Sequence, residues 1–445
     1  MTRPNFIIFL TDDQGYGDLS CMGGTDVPTP HLDALAASGV RFTQWYANAP
    51  VCSPSRAALL TGRYPGNAGV RAILAGHRTA TGLPQSVPTL ATALRQLGYR
   101  TAISGKWHLG LAAGCRPDEH GFEESFGFLA GASDYYSHLY YYGRQTLPLH
   151  DLWHNGQEVY RNGQYLTHLI TEHAVAFLRN TAQVGGDQPF FLYVPFNAPH
   201  WPLHAPPEYL DRFRGIAPER RIMAAMISAM DDGVGAILDE VTRQGCSDNT
   251  CIFFMSDNGP SREAANWLDG SDQPFYGSSA GPYKGHKYSL YDGGIRVPAL
   301  LRWPVGIPGG QVVERVGAAM DIFPTFLKMA GGDPARYQLD GQDILTMVAA
   351  GAPSPHGRLF WEMGEQTAVR DGRWKLVLKG QLVEGAPPED DVHLADMDAD
   401  PGERHNLREQ FPDVVAELTD ACETWRAGIE HRWQQEWLPA AAGTT

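Results

Sequence analysis

The stretch Phe6-Ile7-Ile8-Phe9-Leu10, followed at once by Thr11-Asp12-Asp13, decides the fold class. Five consecutive apolar residues that end in two carboxylates are typical of a buried parallel strand with polar groups at its carboxyl end. Similar short apolar runs recur at Tyr99–Ser104, Phe190–Val194 and Thr250–Met255. We therefore expect an α/β protein with a large mixed, mostly parallel sheet sandwiched by helices.

Helical signals lie between these predicted strands. Thr29 and Pro30 predict a helix start with Thr29 as the N-cap, and Gly39 predicts its end. A second helix is predicted to follow Thr89 and to end at Gly98. Before the fourth strand, methionines recur at helical spacing and predict a helix that faces the core: Met223, Met226 and Met230.

The composition changes near residue 355. Three short runs have the pattern of a small antiparallel sheet: Arg358–Met363, Thr367–Arg370 and Trp374–Leu378. The acidic, proline-rich stretch Glu384–Asp391 is predicted to be a loop, and Val414–Ile429 a closing helix. We predict a catalytic α/β domain over residues 1–355 and a smaller C-terminal α+β subdomain over residues 356–445.

Charge and composition exclude several function classes. The 445 residues carry 35 Lys+Arg and 50 Asp+Glu, a net charge of −15, which disfavours general binding to nucleic acid or anionic membranes. An anionic substrate would therefore need local cations or a metal. No apolar run approaches the roughly 20 residues that span a bilayer, and the 43% hydrophobic content excludes wholesale disorder.

The N-terminus and the cysteines bear on the compartment. The apolar run Phe6–Leu10 is too short for a signal-peptide core and has no small-residue cleavage site, so we expect a cytoplasmic protein. The six cysteines show no metal-type pairing. In the cytosol most of them are expected to be small buried hydrophobes rather than disulfide partners.

Polar residues follow the predicted strands at their carboxyl ends: Asp12 and Asp13, Lys106 and His108, His200, and Asp257 and Asn258. Ligands of open α/β sheets bind at this edge, so we expect one polar site there. The hard oxygen donors suit Ca²⁺ or Mg²⁺ better than Zn²⁺. Either acidic pair alone could instead be a turn or a helix cap, but three carboxylates together favour a bound cation.

A helix start predicted around Cys52 is the sharpest local signal. Ser53 can cap a helix with Pro54 in its first turn, which places Cys52 just before the N-terminus, where an anion or a polarised nucleophile is favoured. Arg56 falls in the first turn and can reach a tetrahedral oxyanion. A buried structural cysteine beside a surface arginine is the equally open alternative.

Further cations and imidazoles complete the candidate site. Lys106 and His108 are two residues apart and lie on the same side of an extended segment. Lys287 precedes the glycine turn Asp292-Gly293-Gly294. With His200, these groups could hold an oxyanion and protonate a leaving oxygen, although each alone could be a solvated or hydrogen-bonded residue.

With these residues in view, the chain resembles the type I, formylglycine-dependent, arylsulfatase-like sulfatase family of the alkaline-phosphatase-like superfamily. The matching motifs, in the order of the family, are Leu10-Thr11-Asp12-Asp13-Gln14-Gly15, Cys52-Ser53-Pro54-Ser55-Arg56 with Thr61-Gly62-Arg63, Gly105-Lys106-Trp107-His108-Leu109-Gly110, Ala198-Pro199-His200, Ser256-Asp257-Asn258-Gly259, and Lys287 followed by Tyr291-Asp292-Gly293-Gly294. The segment Asp398–Leu407 resembles the family's C-terminal Asp-Pro-x-Glu-x-x-Asn-Leu element. Asp292 is a small departure, since many members carry Glu there.

The resemblance implies that Cys52 is converted after translation to Cα-formylglycine by a formylglycine-generating enzyme. One hydroxyl of the hydrated aldehyde would attack sulfur, and the other would then expel sulfate, a self-clearing form of covalent catalysis. The resemblance also implies that a cation, Ca²⁺ rather than Mg²⁺, is coordinated by residue 52 and four further residues: Asp12, Asp13, Asp257 and Asn258.

The resemblance assigns roles to the remaining groups. Arg56 would stabilise the diol oxygen and the anion beside the metal, and His108 would be the base that collapses the hemiacetal. Lys106, Lys287 and His200 would bind the sulfate oxygens, with His200 or Lys287 assisting departure of the alcohol. The implied function is hydrolysis of a sulfate monoester, either an aryl sulfate or a sulfated carbohydrate, to alcohol and sulfate.

Two other functions remain open from the sequence. A phosphonate monoester or phosphodiester hydrolase would keep the fold and the nucleophile, and an unmodified metal-binding protein would have no enzymatic activity. The aromatic-rich residues 134–165 could line a subsite for an aryl or sugar ring, or they could pack a long insertion or form a surface for homo-oligomerisation.

Overall fold

A computed structural model describes residues 3–141, 147–184, 188–263 and 275–438. The strands before residue 355 are β1 (Asn5–Thr11), β2 (Val40–Phe42), β3 (Trp45–Tyr46), β4 (Arg100–Lys106), β5 (Glu124–Phe128), β6 (Leu139–Tyr140), β7 (Leu149–His150), β8 (Trp153–His154), β9 (Gln157–Glu158), β10 (Phe190–Pro195), β11 (Thr250–Ser256), β12 (Ala299–Arg302), β13 (Gln311–Val313) and β14 (Gly317–Ala318). The helices are α1 (Pro30–Ser38), α2 (Cys52–Thr61), α3 (Leu90–Gln96), α4 (Leu166–Val184), α5 (Pro207–Leu210), α6 (Pro218–Arg243), α7 (Asp292–Ile295), α8 (Ile322–Met329), α9 (Leu345–Ala350) and α10 (Pro412–Arg432).

The main sheet has the strand order β13-β2-β12-β11-β1-β10-β4-β5-β8-β9. Its centre is parallel, because β1 pairs in parallel with both β10 and β11, and β4 pairs in parallel with β10 and β5. β12 runs antiparallel to β11, so the sheet is mixed. The predicted fold class is confirmed, and the carboxyl ends of β1, β4, β10 and β11 share one edge.

Helices cover both faces of this sheet. Phe6, Ile8 and Leu10 of β1 pack on one side with α2, α3 and α8, whereas Ile7 and Phe9 pack on the other side with α1, α4 and α6. All five side chains are at most 1% exposed. Burial on both faces explains why this strand is a continuous apolar run rather than an alternating one.

The structure can be compared with the helix starts predicted from the sequence. The helix predicted after Thr89 is α3, and Thr89 caps it, since its Oγ1 accepts the backbone N–H of Thr92 at 3.1 Å. Thr29 precedes α1, but its side chain does not cap the helix. The carboxylate of Asp231, on α6, instead accepts the first free N–H groups of α1, those of His31 and Leu32, at 3.1 and 2.9 Å. The methionine-rich helix α6 faces the core as predicted.

The C-terminal part forms a separate antiparallel sheet in the order β15 (Arg358–Met363), β16 (Gln366–Asp371), β17 (Trp374–Gly380) and β18 (Asp390–Asp396), with α10 against it. The loop prediction over residues 384–391 was wrong at its end, because β18 begins at Asp390. The acidic residues at the start of β18 obscure the apolar residues that follow at alternate positions, Val392 and Leu394, which pair with β17. The proposed division at residue 355 stays a prediction.

Two chain-wide expectations can be compared with the structure. All six cysteines are described and none is in a disulfide; four of them are buried, as expected for small apolar side chains. Among the helices of the described ranges, none is both long and apolar enough to span a membrane.

Candidate active site

The acidic residues predicted to converge do lie together. Asp12 and Asp13 follow β1, and Asp257 and Asn258 follow the neighbouring strand β11. The backbone N–H of Asp13 donates to Asp257 Oδ1 at 3.1 Å, and Asn258 Nδ2 donates to Asp13 Oδ1 at 2.7 Å. Asp13 has a φ of 62°, a left-handed conformation that turns the chain sharply after the strand. All four side chains are buried.

Each of the three carboxylates has a cation next to it. Arg56 donates from Nε and from a terminal nitrogen to Asp257 Oδ2, at 3.0 and 2.7 Å. Lys106 Nζ lies 2.6 Å from Asp12 Oδ2, and Lys287 Nζ lies 2.9 Å from Asp13 Oδ2. These pairs are almost completely removed from water, so their charges interact more strongly than at the surface.

Cys52 is the first residue of α2, and the extended residue Val51 is the N-cap. The prediction that Ser53 caps this helix was wrong: Ser53 lies inside the first turn, and its Oγ accepts the N–H of Leu74 at 3.2 Å. Burial raises the pKa of the Cys52 thiol to about 12, although Lys106 and Lys287 act to lower it. An unmodified thiol here is therefore protonated at neutral pH and a poor nucleophile.

Both predicted histidines face the site. Burial, together with Lys106, holds the pKa of His108 well below its ordinary value, and burial with Lys287 does the same for His200. His108 Nε2 lies 3.2 Å from the carbonyl of Leu74. His200 Nδ1 lies 2.6 Å from the Trp201 carbonyl, which leaves Nε2 directed at Lys287 Nζ, 3.4 Å away. Both imidazoles are neutral and can accept protons.

Sequence reasoning missed one charged residue of the site, Glu263. Its Oε1 lies 2.8 Å from Lys287 Nζ, and its other oxygen accepts the indole N–H of Trp201. Burial alone would lower the pKa of Lys287, but Asp13 and Glu263 hold it well above its ordinary value. Glu263 lies in the loop after β11 and belongs to no motif or periodic pattern, so nothing in the sequence marks it.

His204 and Lys284 lie close in sequence to His200 and Lys287, but their ion-pair partners lie outside the site. His204 Nδ1 lies 3.5 Å from Asp134 Oδ2, and Lys284 Nζ lies 2.7 Å from Glu389 Oε2. The structure therefore brings the residues predicted from the sequence together and places Glu263 beside them; their roles stay predictions.

The donor set fits a hard cation. One ligand atom each from Asp12, Asp13, Cys52 and His200 lie within 4.8 Å of one another. Oδ1 of Asp12 and Oδ1 of Asn258 are buried and find no hydrogen-bond partner among the described residues. Burial raises the pKa of Asp12 to about 8, although Lys106 acts to lower it. The carboxylate form of Asp12 therefore needs additional positive charge nearby to be stable at neutral pH. These residues can hold a divalent cation.

A cavity of about 430 Å³ opens above this cluster. Its floor contains Cys52, His108, His200 and Lys287. The wall is mainly apolar and includes Ile73, Leu74, Ala75, Tyr140, Leu149 and Trp201. A cavity of this size and lining accepts a ring while the polar floor fixes the group that reacts.

The aromatic-rich segment has mixed roles. Tyr140 lines the cavity. Tyr135 is a structural residue, because it is fully buried and its hydroxyl donates to the carbonyls of Asn197 and His200. Trp153 is not among the residues that line this cavity, and the guanidinium groups of Arg78 and Arg116 each lie 5.0 Å from its ring centroid. Tyr142 lies outside the described residues.

Comparison with known proteins agrees with this geometry. The family model described as Sulfatase matches residues 4–332, and the model described as N-sulphoglucosamine sulphohydrolase, C-terminal, matches residues 285–427. Mouse (Mus musculus) arylsulfatase J is 31% identical over 94% of this chain and 75% of its own length. N-acetylgalactosamine-6-sulfatase of Mus musculus is 34% identical over 84% of this chain and 72% of its own length. The crystal structure of Ps i-CgsB superposes with a TM-score of 0.84 at 31% identity, covering 95% of this chain and 92% of the other.

The architecture places the protein among hydrolases of the alkaline-phosphatase-like fold. That fold is also found in the phosphonate monoester hydrolase of Agrobacterium radiobacter, with a TM-score of 0.67 at 22% identity, so architecture alone does not choose the ester. The sequence matches, which cover most of the chain, identify the ester: the chain belongs to the sulfatase family and is a sulfuric ester hydrolase.

Proposed function

We propose that this sulfatase removes sulfate from a sulfated carbohydrate, using an oxidised Cys52 beside a bound Ca²⁺. The observation that carries the proposal is the placement of Cys52: it lies at the floor of the cavity and within 4.8 Å of possible ligand atoms of Asp12, Asp13 and His200. The raised pKa of the thiol supports the need for a modification, because the cysteine itself would be a poor nucleophile.

A modified side chain and a metal ion would supply the chemistry that the unmodified side chains lack. A Cα-formylglycine at position 52 would provide a hydrated aldehyde as nucleophile, and Ca²⁺ would provide a fixed positive charge for it and for the sulfate. The residues that would hold the cation are Asp12, Asp13, Asp257, Asn258 and residue 52. Their oxygens are the ligand type that calcium prefers.

The charge of the site supports a dication and an anionic substrate. Burial favours the protonated form of Asp12 at neutral pH, but a bound dication would favour its carboxylate. With Asp12 ionised, Asp12, Asp13, Asp257 and Glu263 carry four negative charges and Arg56, Lys106 and Lys287 carry three positive ones, which leaves −1. A dication would bring the sum to +1. The site would then attract a sulfate monoester although the whole chain is acidic.

The chain's own residues divide the remaining tasks. Arg56, fixed by Asp257, would hold the nucleophilic oxygen of residue 52 and stabilise negative charge there. Neutral His108 is the group that would accept the proton released when sulfate leaves. Lys106, Lys287 and His200 would bind the sulfate oxygens. Because His200 Nε2 faces Lys287 Nζ, this pair would also deliver a proton to the departing alcohol.

Two relatives support a carbohydrate as the substrate. One curated relative is named for its action as an N-acetylgalactosamine-6-sulfatase, and Ps i-CgsB has been solved in complex with k-i-k-neocarrahexaose. The cavity of about 430 Å³ has room for a ring, and the aromatic side chains Tyr140 and Trp201 in its wall provide surfaces on which a sugar can stack.

The first experiment tests the nucleophile. Protein from its native host is analysed by intact mass spectrometry, and the expected mass is about 18 Da below that of the cysteine form, because one oxygen replaces the thiol sulfur and two hydrogens. Cys52→Ala should abolish turnover, whereas the control Cys422→Ala, on the buried face of α10, should retain it. Near-normal activity of Cys52→Ala protein would refute the mechanism.

The second experiment tests the substrate. Initial rates are compared for sulfated mono- and oligosaccharides, an aryl sulfate and an aryl phosphodiester. We expect the highest kcat/KM for a sulfated sugar. A higher kcat/KM for the aryl sulfate would overturn the carbohydrate assignment, and a higher value for the phosphodiester would mean that the physiological ester is one of phosphorus.

A further inference from the structure

A fully buried charge cluster joins the active-site region to the C-terminal sheet. It consists of Asp292, the first residue of α7, Lys375 of β17 and Glu403, each 0% exposed. Lys375 Nζ lies 2.7 Å from Asp292 Oδ1 and 2.9 Å from Glu403 Oε1. The other oxygen of Glu403 accepts the backbone N–H of Asp292 at 2.6 Å. Two residues of the C-terminal region thus bind both the side chain and the main chain of Asp292.

Two residues from before residue 355 complete the charge balance of the cluster. Tyr46 donates its hydroxyl to Asp292 Oδ2 at 3.0 Å, and Arg296 lies 3.2 Å from the same oxygen. The two carboxylates therefore face one ammonium and one guanidinium group. Removing any one member leaves an unpaired buried charge, so the cluster is a rigid connection rather than a loose contact.

The cluster lies directly behind the active-site loops. The N–H of Gly293, next to Asp292, donates to the carbonyl of Lys284 at 2.7 Å, and the carbonyl of Gly294 accepts the N–H of Gly259 at 2.9 Å. A Cβ at Gly293 would lie 2.1 Å from the carbonyl oxygen of Gly285. The α7 turn is therefore wedged between the loop that carries Lys287 and the residue that follows Asn258.

The C-terminal motif noted in the sequence builds the turn that presents Glu403. Asp400 accepts the N–H groups of Arg404 and His405 at 2.7 and 2.8 Å. Asn406 attaches the end of the turn to β18, because its Oδ1 accepts the N–H of Leu394 at 3.2 Å. Glu403 itself has a φ of 52°, an uncommon conformation for a residue other than glycine. Such a conformation persists only where the surroundings fix it.

We propose that Glu403 and Lys375 are positioning residues for sulfate ester hydrolysis. They hold the α7 turn against the two active-site loops and thereby keep Lys287 and Asn258 in place. The Asp-Pro-x-Glu-x-x-Asn-Leu element is then part of the catalytic apparatus, although it never touches the substrate. The inference rests on the proposed function in one respect, namely that Lys287 binds the sulfate.

The experiment compares Glu403→Ala and Glu403→Gln with the control Leu418→Ala. Leu418, on α10, is 2% exposed and packs with Leu376, whose side chain lies on the face of the C-terminal sheet opposite to Lys375. All assays are run below the melting temperature of each variant. We expect Glu403→Ala to lower kcat/KM about tenfold or more, and Glu403→Gln, which keeps an oxygen for the Asp292 N–H, to recover part of the loss. Leu418→Ala should lower the melting temperature while kcat/KM stays within about twofold.

A second readout separates positioning from simple destabilisation. Inorganic sulfate should inhibit Glu403→Ala less strongly than the parent, because Lys287 is displaced, and Leu418→Ala should not show this change. In a Lys287→Ala background, Glu403→Ala should lower kcat/KM by a much smaller factor than it does in the parent protein. If Glu403→Ala does not fold, the same tests are made with Glu403→Gln, for which the expected loss of kcat/KM is about threefold.

The outcomes distinguish the two proposals. If Lys287→Ala is impaired while folded Glu403 variants keep kcat/KM and sulfate inhibition within about twofold of the parent, the positioning inference is overturned. The positioning inference would also be overturned if Glu403→Ala lowered kcat/KM by the same factor in the parent protein and in the Lys287→Ala background. If Lys287→Ala alone changes neither kcat/KM nor sulfate inhibition, the role of Lys287 in the proposed function fails instead.

Discussion

Replacing Arg56 with glutamine tests the electrostatics of the site most directly. The guanidinium is 0% exposed and donates twice to Asp257, and its third donor reaches the carbonyl of Lys106 at 3.1 Å. Glutamine is shorter and uncharged, so it leaves the Asp257 carboxylate buried beside Asp12 without its main partner. Removing one member of a buried ion pair costs about 3–5 kcal/mol of unfolding free energy.

The assay is urea unfolding of the metal-free protein in excess chelator, so that only the protein's own cations oppose the carboxylates. The unfolding midpoint of Arg56→Gln should fall at an unchanged slope. The control Arg358→Gln removes two partly solvent-exposed ion pairs, with Asp371 and with Glu417, and it should cost about 1 kcal/mol or less.

A second substitution separates the charge effect from lost packing. In Arg56→Gln/Asp257→Asn no carboxylate at position 257 remains to be compensated, so at least half of the lost stability should return. Catalysis should not return, since both residues belong to the proposed site; kcat is expected to be lower by about 10²-fold or more in either variant. The reasoning is refuted if Arg56→Gln unfolds within about 1 kcal/mol of the parent, or if the double variant is no more stable than the single one.

Three further predictions concern the metal, a remote carboxyl group and a glycine. Chelation should abolish sulfatase activity and lower the melting temperature, and Ca²⁺ should restore both better than Mg²⁺; full activity after exhaustive chelation would exclude a required metal. Burial raises the pKa of Asp231 from 3.8 to about 6 in the folded protein. The folded state then binds this proton more tightly than the unfolded state, so the free energy of unfolding should fall by about 3 kcal/mol as the pH rises from about 4 to about 6, and Asp231→Asn should flatten that part of the profile. Gly105 has a φ of 138°, and a Cβ there would lie 1.9 Å from the carbonyl oxygen of Pro195, so Gly105→Ala should yield no folded protein by circular dichroism, whereas Gly357→Ala, with nothing within 4 Å, should fold normally.

The part of the fold that the sequence predicts well is the part governed by local pattern. β1 is a continuous apolar run because helices cover both of its faces, and the same holds for β10 and β11, so their existence and their polar carboxyl ends can be read directly. The convergence of Asp12 and Asp257 follows from parallel pairing, since the two strands end at the same edge.

What the sequence could not show depends on contacts between distant segments. Asp231 caps α1 from about 200 positions away, and no local signal distinguishes that arrangement from a cap by Thr29. Glu263 joins the site only because a loop brings it to Lys287. The predicted loop includes the first two residues of β18, Asp390 and Asp391, because they are acidic; pairing of β18 with β17 is what extends the strand to Asp390.

The complete burial of α2 has a consequence for biosynthesis. All ten residues from Cys52 to Thr61 are buried, so in the folded molecule this segment is not exposed for another protein to bind. If Cys52 is oxidised as proposed, the modifying enzyme is expected to act on the nascent or unfolded polypeptide. On that proposal, a host without such an enzyme would produce a folded but inactive product that later exposure to the enzyme would not activate.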